Sequence, residues 1–141
     1  MRTIESAIEI DAEPEAVWAE LTDFESYDEW NPFIRHAEGE AAVNRRLSIR
    51  VEPPGGRGAT FSPKVILVDE PRRLAWLGRF GVPHLFDGRH EFRIDTNDDG
   101  GVTFRQQESF GGVLVPLLLN EGAVQRGFEE MNSALKRRLE G

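Results

Sequence analysis

Two strand-like segments each carry polar residues among aromatic ones on the face that reads as buried. In residues 85–94, Phe86, His90, Phe92 and Ile94 share one face, and Asp87, Arg89, Glu91 and Arg93 share the other. In residues 102–110, Val102, Phe104, Gln106, Glu108 and Phe110 share a face. Alternation with period two is the mark of a half-buried strand. Between the segments, Thr96-Asn97-Asp98-Asp99-Gly100 signals a hairpin, with glycine placed for the left-handed position of a bulged turn. If the loop is Asp98-Asp99-Gly100, residue 96 faces 102 and His90 lies opposite Glu108. A loop one residue earlier puts Gln106 opposite His90 instead. In either register an imidazole and a carboxylate are near neighbours on an apolar face.

An isolated buried carboxylate is costly, which argues for pairing Glu108 with His90. Such a pair, with Gln106 beside it, could orient a ligand hydroxyl or carbonyl, or act as general base and acid. His90 and Glu108 are therefore the candidate catalytic residues, and a self-satisfied structural pair is the alternative. Other chemistries find less support. There is no cysteine to serve as nucleophile or thiolate ligand, no Gly-x-Ser-x-Gly elbow, and Ser109 is expected to face outward. His36, His84 and His90 are scattered without ligand spacing, so no metal site and no cofactor are expected. Pro54-Gly55-Gly56-Arg57-Gly58 has the composition of a phosphate loop but lacks Gly-Lys-Ser/Thr and a following helix. It reads as a hairpin turn.

The elements that must position these residues follow from periodicity. Ile4, Ile8 and Ile10 alternate with Glu5 and Glu9 in a first strand. Pro14 opens a short helix with an apolar stripe of Val17, Trp18 and Leu21, ending near Asp23. A further turn over Tyr27 to Trp30 stops at Asn31-Pro32. Strands follow from Phe33: Leu47, Ile49 and Val51 alternate with Arg46, Ser48 and Arg50, then come Phe61 to Val68, Leu74 to Gly78, and the two segments above. Beyond Gly111-Gly112, Leu117, Val124, Phe128, Met131, Leu135 and Leu139 recur at helical spacing, an amphipathic helix of roughly four to six turns. Gly122 and Gly127 weaken that helix by about 1 kcal/mol each relative to alanine, and allow close approach of a ligand or the sheet. A sheet with one polar face must bury the other, and only the C-terminal helix is large enough to cover it. The expectation is one α+β domain over residues 1–141.

Bulk properties narrow the partners. A net charge of −8 and the lack of any long basic run argue against nucleic acid and anionic membrane surfaces. The longest apolar run, Val113 to Leu119, contains Pro116 and is far short of the roughly 18 residues that span a bilayer. Met1 to Ser6 lacks the apolar core of a secretory leader, so a soluble cytoplasmic protein is expected.

Several motifs, in order, resemble the START-like (SRPBCC) superfamily and its polyketide cyclase/dehydrase-like branch. Ile8-Glu9-Ile10-Asp11-Ala12 with Pro14, Val17-Trp18 and Leu21-Thr22-Asp23 is similar to its opening. Trp30-Asn31-Pro32-Phe33-Ile34, Leu74-Ala75-Trp76-Leu77-Gly78, Glu108-Ser109-Phe110-Gly111-Gly112 and Met131-Asn132-Ser133-Ala134-Leu135-Lys136 continue the likeness. The resemblance implies a helix-grip fold: a curved antiparallel sheet of six to seven strands around a long C-terminal helix, with one or two short helices after the first strand. It also implies a hydrophobic cavity between sheet and helix, with a small lipid-like or polycyclic molecule as partner. The chain would be a carrier or sensor, monomer or homodimer, without an integral membrane segment. A cyclase or dehydratase using His90 and Glu108, and an interaction module using the outer sheet face, are the alternatives. The residues expected to line the cavity are Trp76, Phe86, His90, Phe104, Gln106, Glu108 and Phe128. Trp30 is placed at the corner between helix and sheet and is a candidate for the cavity mouth.

Overall fold

The computed structural model describes residues 2–79 and 84–141, with the side chain of Leu117 outside that description. Strand β1 (Arg2–Ile10) leads into helix α1 (Pro14–Thr22), a 3-10 turn (Phe24–Ser26) and the short helix α2 (Tyr27–Trp30). Seven strands follow: β2 (Ile34–Glu38), β3 (Ser48–Val51), β4 (Ala59–Phe61), β5 (Lys64–Asp69), β6 (Arg73–Arg79), β7 (Asp87–Thr96) and β8 (Val102–Gly111). Helices α3 (Val115–Leu118) and α4 (Glu121–Glu140) complete the chain. All strand pairs are antiparallel. One sheet has the order β1-β8-β7-β6-β5 and a smaller one the order β2-β3-β4. This is the α+β, helix-grip arrangement expected, with one difference in strand count. Phe61 to Val68 reads as one strand in sequence, but the chain leaves the small sheet at Ser62-Pro63 and joins the large one at Lys64. Pro63 has no N–H for a ladder, while its carbonyl accepts from Leu47 N at 2.8 Å.

The β7–β8 hairpin has the register in which Thr96 faces Val102 and His90 faces Glu108. Its turn is tied by Asn97 N to Gly101 O (2.8 Å), Gly101 N to Asp99 Oδ1 (3.0 Å) and Thr103 Oγ1 to Asn97 Oδ1 (2.8 Å). Gly100 takes the left-handed φ of 93° that the bulged turn requires.

Helix α4 lies along β1 and buries Ala123, Phe128, Met131, Ala134 and Leu135. Leu117 belongs to the separate α3, because Leu119 is extended and Asn120 caps α4, its Oδ1 accepting from Ala123 N at 3.1 Å. Three polar residues of α4 reach the outer edge of β1. Gln125 Nε2 donates to Glu5 O at 3.0 Å and Lys136 Nζ to Glu9 O at 2.9 Å, while Asp11 N donates to Glu140 Oε2 at 2.8 Å. The edge strand is thereby blocked to further pairing. At the corner between α2 and β2, the buried Asn31 accepts from Phe33 N and Ile34 N, both at 2.9 Å. The buried Tyr27 hydroxyl donates to Leu21 O. Burial, with Glu20 and Asp23 nearby, pushes that phenol well above its ordinary range, so it remains a donor.

Gly127 meets neither ligand nor sheet backbone but the ring of Phe33. A Cβ added there would lie 2.3 Å from Phe33 Cδ1. Gly127→Ala therefore gains helix propensity but overpacks the core, and is expected to lose about 1–3 kcal/mol in a denaturant titration. A stabilised variant would refute the contact.

On the outer face of the large sheet, Glu91 is buried beneath two arginines. Arg73 Nε donates to its Oε2 and Arg89 to its Oε1, each at 2.8 Å. Burial works to raise the Glu91 carboxyl, but the hydrogen bonds and charges of Arg73 and Arg89 outweigh it and hold it below the ordinary carboxylate range. With the folded value below the unfolded one, this stabilisation is complete above the unfolded value and is lost as pH falls through the folded one. Glu91→Gln is expected to cost about 1–2 kcal/mol at neutral pH and to flatten the acid limb of a stability–pH profile. An unchanged acid limb would rule this out.

Candidate functional site

Alternation along β7 and β8 brings Gly88, His90 and Phe92 to the same inner face as Gln106, Glu108 and Phe110. His90 is 3% exposed and held among aromatic rings. It stacks on Phe92 with centroids 4.3 Å apart, with Phe128 at 5.1 Å and Trp76 at 5.5 Å. Its two nitrogens have different partners. Nε2 lies 3.0 Å from Gln106 Oε1, and Nδ1 lies 3.4 Å from Glu108 Oε1.

The Gln106 end decides which nitrogen carries the proton. Gln106 Nε2 donates to Asn132 Oδ1 at 2.8 Å and to the backbone carbonyl of Phe128 at 3.4 Å, and Asn132 Nδ2 donates to Ser6 Oγ at 3.2 Å. A backbone carbonyl only accepts, so the amide nitrogen of Gln106 points at it and the amide oxygen points at His90. His90 Nε2 must then be the protonated nitrogen. On its other side, Nδ1 faces Glu108 Oε1 across 3.4 Å, a contact between imidazole and carboxyl at the cavity wall.

Glu108 opens onto a cavity of about 240 Å³. It lies between the two sheets, at the N-terminal end of α4. Phe33, Ile34, Ile49, Val51 and Phe61 form the wall on the small-sheet side, and Phe86 and Phe110 the wall on the large-sheet side. Ala123 and Val124 of α4 and Leu118 of α3 close one end. Gly56, Ala59 and Ala123 are small, which leaves this volume unfilled. The β3–β4 loop borders the mouth through Pro53, Gly56 and Arg57. Arg126 NH2 donates to Pro54 O at 3.3 Å and ties the loop to α4.

Of the residues expected at a site, Phe86, His90 and Glu108 face this cavity. Gln106 sits directly behind His90, fully buried, and reaches the site only through the imidazole. Trp76, Phe104 and Phe128 do not line the cavity. They are filled core, Trp76 against Phe24 and Phe92, Phe104 against Phe92, and Phe128 against Phe33. Trp30 lies half-buried on α2 with its ring edge against Tyr27, also away from the cavity. Sequence reasoning missed the contribution of the small sheet and of Arg57. The alternation of Ile49 and Val51 marked an inward face, but nothing in it says that this face meets the end of β7 and β8. Among the described residues no helix is long and apolar enough to cross a membrane, and no three His, Asp or Glu side chains gather as a metal site.

A fold in which two sheets and a C-terminal helix line a cavity has counterparts among known proteins. Residues 1–140 match the family model described as polyketide cyclase/dehydrase and lipid transport. The chain belongs to this polyketide cyclase/dehydrase family. Solved structures agree on the fold. Protein MLL2253 from Mesorhizobium loti superposes with a TM-score of 0.76 at 20% identity, covering 99% of this chain and 97% of that one. A START superfamily protein from Mycobacterium smegmatis gives 0.75 at 21% identity, covering 98% and 97%. The Zhui aromatase/cyclase from a Streptomyces species gives 0.76 at 19% identity, covering 99% and 93%. None of the curated protein sequences matches. At these identities the solved structures share the fold with this chain, and the side chains of the site must be argued from the chain itself.

The polar relay behind His90 yields a direct test. Gln106→Leu removes the acceptor of His90 Nε2–H and strands Asn132 and the Phe128 carbonyl. A loss of about 1–3 kcal/mol is expected. In the unaltered protein, nitrogen NMR of the His90 ring should find the proton on Nε2, and the variant should lose that fixed assignment. A ring protonated only on Nδ1 in the unaltered protein would overturn the relay.

Proposed function

We propose that this member of the family binds one compact apolar molecule in the cavity between the two sheets and α4, as a carrier or sensor. The observation that supports this most is the make-up of the cavity: largely apolar walls, broken by the His90–Glu108 pair, Asn120 and Arg57. Burial of apolar ligand surface supplies affinity at about 25 cal/mol per Å², and one polar pair sets orientation. Pockets for drug-sized ligands enclose about 300–1,000 Å³. The cavity of about 240 Å³ lies just below that range. It suits a one- or two-ring compound, or the apolar end of a longer molecule whose remainder leaves by the mouth beside Arg57.

The test is native mass spectrometry of protein from its own host, compared with Val124→Trp, in which the indole occupies the cavity. An apolar molecule bound near one-to-one and absent from the folded variant is the expected result. A bound molecule retained by Val124→Trp would place the ligand elsewhere. The contact of His90 with Glu108 at the cavity wall favours a second reading, acid–base catalysis of a cyclase or dehydratase kind on the bound molecule. Turnover abolished by Glu108→Leu, with binding retained, would distinguish it from carriage.

A further inference from the structure

We infer that the molecule this site selects carries a hydroxyl, which donates a hydrogen bond to Glu108 Oε2. The inference rests on the cavity being the ligand site and adds the chemical class of the ligand's polar group. Its basis is which atoms at the inner end are still available. His90 Nε2 is committed to Gln106, and Nδ1 faces Glu108 Oε1. The imidazole therefore offers nothing to a ligand. Among the described residues Oε2 receives no hydrogen bond, and Glu108 keeps 15% of its side chain exposed at the cavity wall.

The position of that oxygen is built into the sheet. Gly88 stands beside Glu108 on the inner face, and a Cβ there would lie 2.6 Å from Oε2. Any larger residue at 88 would push the carboxyl away. Room is thus kept for one specific oxygen, turned away from its imidazole partner.

Oε2 is an acceptor whichever of Nδ1 and Oε1 holds a proton between them. With the proton on Nδ1, Glu108 is a carboxylate and Oε2 accepts. With the proton on Oε1, Oε2 is the carbonyl oxygen of a carboxylic acid and still accepts. A ligand ether or carbonyl oxygen would meet a second acceptor, and a ligand carboxylate would meet a like partial charge in apolar surroundings. An ammonium would have to give up its hydration in a largely apolar cavity. Arg57 at the mouth adds positive charge against it. A neutral O–H donor is the group that remains.

A series of probes built on one ring system separates these cases without any variant: naphthalene, naphthol, the methyl ether of naphthol and naphthoate, each titrated by calorimetry into the intact protein. Naphthol is expected to bind at least about tenfold more tightly than its methyl ether, the difference one hydrogen bond to a charged acceptor makes. Naphthoate is expected to bind most weakly. In Glu108→Leu, naphthol and the ether should converge while naphthalene still binds. Equal binding of naphthol and ether by the unaltered protein would overturn the donor inference and leave the cavity reading standing. Tightest binding by naphthoate would overturn it in favour of recognition of acids by Arg57. Failure of all four probes to bind would bring down the cavity reading and this inference together.

Discussion

The ladder between β7 and β8 runs unbroken from Asp87↔Gly111 to Thr96↔Val102, and it carries the main burden of placing the polar groups. Side chains along a strand alternate between faces, so a slip of one residue would send one strand's inner set to solvent. His90 would then leave its aromatic cage, or Gln106 and Glu108 would leave theirs. The turn that prevents the slip uses side chains as well as backbone. Asn97, Asp99 and Thr103 are each tied into it. A few hydrogen bonds at one end of the sheet thus decide the geometry at the other, where the cavity lies.

Behind the cavity, polar atoms cross an otherwise aromatic core in single file, from His90 through Gln106 and Asn132 to Ser6. Such a chain is costly when any member lacks a partner and specific when all have one. Here Gln106 donates to Asn132 and to the Phe128 carbonyl, which fixes the orientation of its amide, and Asn132 donates to Ser6. The helix is thereby keyed to the sheet at one rotation and one height. Apolar packing alone tolerates small shifts of a helix over a sheet. This relay does not.

Much of this was legible from alternation and turn chemistry. The two inner faces of residues 85–94 and 102–110, and the nearness of His90 to Glu108, follow from period-two spacing and one Asn/Asp/Gly turn, which left two hairpin registers open. The limits of the site were not legible. Trp76, Phe104 and Phe128 have the residue types and the inward direction of cavity-lining groups, yet they fill the core, because residue type does not record whether a neighbour occupies the adjacent space. The small sheet was hidden for another reason. The break at Ser62-Pro63 moves the chain between sheets without interrupting the run of apolar residues, so Phe61 and Val65 read as parts of one strand. The gap before α4 was similarly masked, since Leu117 keeps helical spacing with Val124 across a cap at Asn120.

The attachment of β1 to α4 bears on how the molecule is made as well as on how it is held. Gln125 and Lys136 reach carbonyls that lie 120 and 127 residues earlier in the chain. The ladder partner of β1 is β8, again from late in the sequence. During synthesis the first strand therefore emerges with neither neighbour in existence. It must wait, unpaired, until β8 and α4 have been translated. Contacts this distant in sequence slow closure of the fold and prolong the time an open strand spends exposed. The glutamates at 5 and 9 give that waiting segment a charged face, which discourages premature association with other chains. On this view the acidic side of β1 matters most before its partners exist.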